Sequence, residues 1–416
     1  MTRHSNQDVP ARLAIGSNPE RNRRHNRRVV LEAVRTHGAL GRTEIGRLTR
    51  LTAQAVANIV DDLVRENFLV ETGRLRSGRG QPPIQFAVNP DGPVTVGVEL
   101  AADHLTTVLL DLTGSIRAQS SKPIAEQSPR AMARRVAREI GRLRASVNRP
   151  APMLGVGVVM PGPFEIEGIA SAGPGTLPGW HGIDAAAVLA EAIGEAVIIE
   201  NDATAAAVGE RLHGAGRAIE DFCFVYFGVG LGLGIVQGGR PMRGAFGNAG
   251  EIGLIPLSGR NGRVAGALER FASPHALRER LAAAGVAAPD VATIEALFQS
   301  GDPALAAWIG EAADYLAQLV VTLENILDPE TIVFGGRLPD AVIDAIIAAL
   351  EPLPPSIATR AMRAQPRVRR GQTGQLTAAL GAAALPLFET VTPRLHLAAT
   401  PAGAETNQEP SRADRS

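Results

Sequence analysis

The stretch VIIENDATAAAVGERLHG, residues 197–214, runs an apolar strand through Glu200, Asn201 and Asp202 into an alanine-rich helix. A carboxylate at such a junction can accept a hydroxyl proton as a general base, or it can cap the helix by accepting its free N–H groups. The residues alone leave both roles open. A second set lies nearer the start, where Thr52, Ala53, Gln54 and Asn58 offer small, hydroxyl and amide side chains amid Arg42, Arg50, Arg74, Arg76 and Arg79. Such amides can pair with an adenine edge, and such arginines hold phosphates. The single cysteine, Cys223, lies in the apolar run DFCFVYFG; it has no partner for a disulfide or a cysteine zinc cluster and reads as a buried thiol.

These groups need elements to position them, and 416 residues with 45% apolar and 20% charged content suffice for two or three globular units. No run approaches the roughly 18 uninterrupted apolar residues of a membrane span, and MTRHSNQDVPARLAIG lacks the apolar core of a secretory leader. A cytoplasmic protein without membrane contact is the expectation. The net charge of zero conceals an asymmetry: residues 1–90 hold 15 arginines against 8 acidic residues, and the remainder holds 27 basic against 34 acidic. A basic head on an acidic body suits a polyanionic partner, although arginine is used throughout the chain.

After a polar lead, residues 1–21, expected to be disordered, NRRVVLEAVRTHG places Val30, Ala33 and Val34 on one helical face and stops at Gly38. Gly41 and Glu44 open a second short helix with Ile45 and Leu48 inward, and Arg50 and Leu51 make the turn. Thr52 caps a third helix whose Val56, Ile59, Val60, Leu63 and Val64 form a core face. FLVETG and PIQFAVN, the latter with Ile84, Phe86 and Val88 to one side, then flank the basic wing RLRSGRGQPP. Residues 22–88 therefore read as a winged helix-turn-helix for double-stranded DNA, with a protein-binding domain as the alternative.

NPDGP, residues 89–93, is a linker. Beyond it VTVGVEL, HLTTVLLDLTG, SIRAQSS and MLGVGVVM read as strands, with helices around 131–146 and 185–193. A second series begins at DFCFVYFGVGLGLGIVQGG and runs to TIVFGGRL. The alternation predicts an α/β fold with a mainly parallel sheet, and the two series predict two lobes with a cleft between them.

GVGVVMPGP, LPGW, ENDATAAAVGE, GVGLGLGIVQGGRPMRGAFGNAGEIG, ALERFAS and IVFGGRL follow one another as in the ROK (repressor, open reading frame, kinase) family of sugar kinases and repressors. The chain resembles that family over roughly residues 22–390, and it is similar to the N-acetylglucosamine- and xylose-type repressors that carry a winged head. The resemblance implies an actin-like, ribonuclease-H-like body. Its first lobe would span 94–203 and take back a helix at 376–392, its second lobe 204–375, and a disordered tail 398–416. It further implies a sugar held by Asn201, Asp202, Glu251 and Glu269, with Asp202 in the place of the kinase base; carboxylates suit this because each accepts several hydroxyl hydrogen bonds.

The departures from the family matter as much. Its kinases have Asp-x-Gly-Gly-Thr where this chain has Glu99-Leu100-Ala101-Ala102-Asp103, and Gly-Thr-Gly where it has Gly228-Val229-Gly230; only Gly335 and Gly336 of FGG are kept. Added methyls hinder the approach of backbone to phosphate, and Asp103 puts negative charge where phosphates would lie. Leu254, Arg260, Gly262 and Ala267 stand where the family has zinc ligands, and Thr176 replaces an asparagine before LPGW. The expectation is a sugar-responsive repressor without kinase activity, acting as a homodimer or tetramer on operator DNA, with no cofactor and no metal. In that reading Asn201 and Asp202 hold ligand. A working sugar kinase with a DNA-binding head, or a body that only dimerises, are the alternatives.

Overall fold

A computed structural model of the chain describes residues 13–14, 19–74, 83–124, 128–147, 151–162, 177, 179–258, 264–360, 362–391 and 397–398. β1 (Leu13–Ala14) precedes α1 (Pro19–His37), which starts a little ahead of the expected boundary at 22 because a proline loses nothing as a first helical residue. β2 (Leu40–Gly41), α2 (Arg42–Thr49), α3 (Ala53–Arg65), β3 (Leu69–Arg74) and β4 (Ile84–Val88) complete the head, its strands ordered β2-β4-β3. Val30, Val34, Ile45, Val56, Val60 and Leu63 are its buried core. The Thr52 side chain caps α3 by accepting from Ala55 N, and Arg50, at φ 56°, makes the turn before it. Two residues expected to face inward do not: Leu48 is 36% and Ile84 37% exposed. The two-turn α2 buries only Ile45, and Ile84 pairs with Arg74 at the wing end of the hairpin, where Gln85 is buried instead.

Residues 89–93 form a pinned turn. Asn89 N donates to Phe68 O and Asn89 Nδ2 to Asn67 O, while Arg117 of the body reaches Asp91 and Pro90 O.

The first lobe begins with an antiparallel meander of β5 (Val94–Leu100), β6 (His104–Asp111) and β7 (Ile116–Pro123). After α4 (Pro129–Ser146), β8 (Met153–Met160), α5 (Ala185–Ile193) and β9 (Val197–Asn201) add two parallel strands, in the order β7-β6-β5-β8-β9. α6 (Asp202–His213) leads into the second lobe, which repeats the plan. There β10 (Phe222–Phe227), β11 (Leu231–Gln237) and β12 (Arg240–Pro241) are antiparallel. β13 (Pro256–Ser258), β14 (Val264–Ala267), α7 (Glu269–Ala272), α8 (Pro274–Ala283), α9 (Val291–Ser300) and α10 (Pro303–Leu327) follow. Parallel β15 (Thr331–Gly336), α11 (Asp340–Ala349) and β16 (Val368–Arg370) then give the order β12-β11-β10-β15-β16. Each sheet is thus mixed, not mainly parallel, because the links at 101–103 and 112–115 are too short for a crossover. Among the described residues α10 alone has the length and hydropathy of a membrane span, yet its Trp308, Ala312, Leu316 and Val320 fill the core of the second lobe.

α12 (Thr377–Val391) returns to the first lobe and lies across β5 and β8 on one side and α6 on the other. The contact is almost backbone to backbone. A Cβ on Gly97 or Gly157 would stand 2.0 Å or 1.9 Å from the carbonyl oxygen of Ala379 or Ala382, and one on Gly381 1.7 Å from Ala205 O. That closeness explains why both helices are built from alanine and glycine. At its far end α12 meets the head, where Leu387 packs with Leu112 and Leu154 against the head's core. β17 (Leu397–Ala398) pairs with β1. Leu13, Ala14 and Ala398, from the lead and tail expected to be disordered, are therefore joined with Leu397 in a ladder that satisfies their backbone groups, and most of both segments lies outside the described residues.

Candidate functional site

Asn201 ends β9 with extended backbone, so it and not Asp202 caps α6: its Oδ1 accepts from Thr204 N at 3.0 Å. Asp202 becomes the first helical residue, and its Oδ1 accepts from Ala203 N at 2.7 Å. Glu251 is presented by Gly250, whose φ of +96° and position against Leu233 O (1.9 Å from a built Cβ) leave no room for a side chain. Glu269 opens α7. All four predicted ligand-holding residues line one cleft, together with Glu99, Gly162, Tyr226 and the turn 228–230. Gly162, after β8, brings the first lobe close: a Cβ there would lie 2.3 Å from Glu251 Oε1 and 2.9 Å from Asn201 Nδ2. Beside it Glu200 accepts from Asn201 N and is ion-paired with Arg243 of the second lobe.

Burial, reinforced by the charges of Glu99 and Glu251, pushes the Asp202 carboxyl up to about 8. Burial and the neighbouring Glu269 push Glu251 to about 7, and burial raises Glu269. Asp202 therefore keeps its proton at neutral pH and can donate a hydrogen bond as well as accept one.

In the same cleft beside Asp202, the end of β5 and the turn after it, where the resemblance would put nucleotide phosphates, carry paired charge. Tyr226 OH donates to Glu99 Oε1 at 2.6 Å, and His104 Nε2 stands 3.2 Å from the same oxygen without hydrogen-bond alignment. His104 Nδ1 lies 2.5 Å from Asp103 Oδ1, and Arg278 Nη1 of α8 lies 3.4 Å from Asp103 Oδ2. Burial works against the Asp103 charge, but His104, Arg278 and Arg337 override it and hold the carboxyl at about 2. For His104 burial is likewise overridden, by Glu99 and Asp103, and its value rises. The turn carrying Ala101, Ala102 and Asp103 is thereby tied across the cleft to β10 and α8.

Tyr226, His104 and Arg337 did not emerge from the sequence reading. The available signal was Tyr226, one of two tyrosines in the chain, whose hydroxyl needs a partner in an otherwise apolar strand. Cys223 in the same strand is buried, which pushes its thiol up to about 12. Leu254 lines the cleft and Ala267 ends β14, whereas Arg260, Gly262 and Thr176 lie outside the described residues. Among the described residues no group of three His, Cys, Asp or Glu side chains could hold a metal ion.

In the head, Ala53, Gln54 and Asn58 are exposed on α3, with Gln54 Nε2 donating to Asn58 Oδ1 at 3.0 Å. Thr52 is exposed, although its hydroxyl is used as the cap, and Arg50 is exposed. Arg42 is partly committed: it pairs with Asp61 and its guanidinium sits 5.1 Å from the Phe86 ring. Arg23 and Arg27 of α1 pair with Asp62 and Glu66 of α3, so part of the head's basic excess is spent in holding it together. Arg74 ends β3 without a described side chain, and Arg76 and Arg79 lie outside the described residues.

The xylose repressor of Caldicellulosiruptor bescii is 27% identical over 333 residues, covering 75% of this chain and 83% of that protein. The glucokinase of Thermotoga maritima is 29% identical over 263 residues, 58% of this chain and 81% of that enzyme. Among solved structures, a ROK family transcriptional regulator, a homologue of the E. coli MLC protein, superposes with a TM-score of 0.67 at 21% identity, covering 89% of this chain and 98% of that one. The body has the α/β fold of the actin-like ROK sugar kinases. The ROK family model matches residues 95–388, and the chain belongs to the ROK family.

Proposed function

We propose that this chain is a sugar-responsive DNA-binding repressor whose body senses a sugar or sugar derivative without phosphorylating it. The observation that carries this reading is the ion-paired end of the cleft: Glu99, Asp103 and His104 meet Tyr226 and Arg278 where a kinase would need open backbone and a phosphoryl donor. The sugar end keeps its acceptors, and the similarity to a xylose repressor agrees with it.

The head, residues 22–88, is a winged helix-turn-helix in this reading, with Gln54 and Asn58 of α3 toward bases and Arg42, Arg50, Arg74, Arg76 and Arg79 toward phosphates. Thr52 and Ala53 at the start of α3 approach the same groove. A homodimer presents two such helices to operator half-sites about 34 Å apart or a multiple of that. The route from cleft to head is short: α6 starts at the ligand-holding pair, α12 packs against α6, and Leu387 of α12 packs into the head. Sugar that closes the lobes shifts α12 and releases DNA, with a coupling of about 1 to 3 kcal/mol.

The test is a DNA-binding titration of the full-length protein on its own promoter region, with and without a sugar panel. Salt-sensitive, sequence-selective binding weakened by one sugar is expected; absence of selective binding overturns the reading. A sugar kinase with a DNA-binding head is the second reading, favoured by Asp202 in the place of the kinase base; with its carboxyl near 8 it becomes a proton acceptor only as pH rises toward that value. Sugar-dependent ATP turnover abolished by Asp202→Asn would establish it.

A further inference from the structure

We propose that Glu99 is a further ligand-holding residue of the cleft and that the effector is a sugar without negative charge, a neutral polyol or an amino sugar, with phosphorylated and acidic sugars refused. This rests on the sensing reading above. Glu99 lines the cleft and is 2% exposed; its Oε1 takes the Tyr226 hydroxyl, while its Oε2 has no partner. Burial would favour the neutral acid, but His104, Arg337 and Tyr226 outweigh it and keep the group ionised. An ionised, buried oxygen without a donor is costly, and a ligand hydroxyl or ammonium relieves that cost.

The rest of the wall points the same way. Asp202, Glu251 and Glu269 join Glu99, and no arginine, lysine or histidine is among the described lining residues. The cations nearby are engaged elsewhere: Arg278 with Asp103, His104 between Asp103 and Glu99, and Arg243 with Glu200. Arg337, whose Nε and Nη1 are unpartnered, is not among the described lining residues; its charge acts on Glu99, Asp103 and His104. At neutral pH Asp202 holds its proton and Glu251 is only partly ionised, so a phosphoryl or carboxylate group entering here meets the ionised Glu99 and finds no cation among the described lining residues to pair with, which selects against it.

The experiment is calorimetric and thermal-shift titration of the full chain with D-xylose, D-glucose and D-glucosamine, and with D-glucose 6-phosphate and D-glucuronate. Binding confined to the first three is expected, and Glu99→Gln weakens the tightest of them by about tenfold or more, the usual size for a hydrogen bond to a charged group. Binding of either acidic sugar as tight as that of D-glucose, or unchanged affinity in Glu99→Gln, overturns the proposal while leaving sugar sensing intact. Should Glu99→Gln fail to fold, the wild-type ratio of D-glucose to D-glucose 6-phosphate affinity decides. Silence toward all five overturns the sensing reading and this proposal together.

Discussion

At the sugar end of the cleft the ligand-holding work, in the function proposed above, falls to side chains, Asn201, Asp202, Glu251 and Glu269, each fixed at the end of a strand or helix. At the nucleotide end of the ROK kinases it falls to glycine backbone, and here two alanines, an aspartate and a valine have taken over. In the proposed function this contrast lets one fold keep a ligand and drop a reaction. A backbone site is closed by single methyl groups, whereas a side-chain site persists while its residue types persist. The two ends also titrate in opposite senses. Asp202 and Glu251 are pushed toward their neutral forms, and Asp103 is held in its charged form.

The largest effect is expected from Gly250→Ala, which sets a methyl 1.9 Å from Leu233 O in a left-handed backbone and displaces Glu251. A loss of about 4 kcal/mol, read by urea denaturation, and loss of every sugar-induced thermal shift are expected. A stable variant that still responds to sugar would mean that Glu251 is not positioned by this turn.

Asp202→Asn comes next and carries a pH signature. The folded carboxyl lies near 8 and the unfolded one near 3.8, so its contribution is fully present below about 4 and is lost as pH rises through 8. Urea midpoints of the wild type should fall across that window, with Glu251 adding the same sign up to about 7, and the variant should gain about 2 to 3 kcal/mol at pH 8 and nothing at pH 4. The partial exposure of Asp202 keeps this below the full value of its shift.

Tyr226→Phe deprives Glu99 of its donor and should cost about 2 kcal/mol at neutral pH, measured by the same denaturation. Asp103→Asn should cost least, about 1 kcal/mol, because its side chain is 43% exposed and screened. Its sign is opposite to that of Asp202: the contribution stands above about 4 and disappears as pH falls through 2, so the variant should match the wild type in acid. If both ends lost stability in the same pH direction, the contrast between them would be wrong.

Much of this was readable in advance, for reasons that differ by element. The core faces of α1 and α3 follow from helical spacing, and Thr52 was identifiable as a cap from its residue type and position. The cap of α6 moved from Asp202 to Asn201 because a cap depends on where a strand ends, which spacing places only to within a residue or two. The mixed sheets were visible in the short links after β5 and β6, which weigh more than the alternation of strands and helices. The Glu99 to Tyr226 contact joins residues 127 positions apart, and no local pattern announces it.

The placement of α12 has a consequence for how the molecule is made. β5 and β8 have their partner helix far along the chain, and Leu387 of that same helix packs against the head's core. During synthesis the head and the first sheet leave the ribosome long before the segment that covers them, and contacts so distant in sequence form late. A nascent or C-terminally truncated chain therefore exposes the apolar face of its first lobe and holds its head loosely. Assembly of the first lobe and the head is gated by completion of α12.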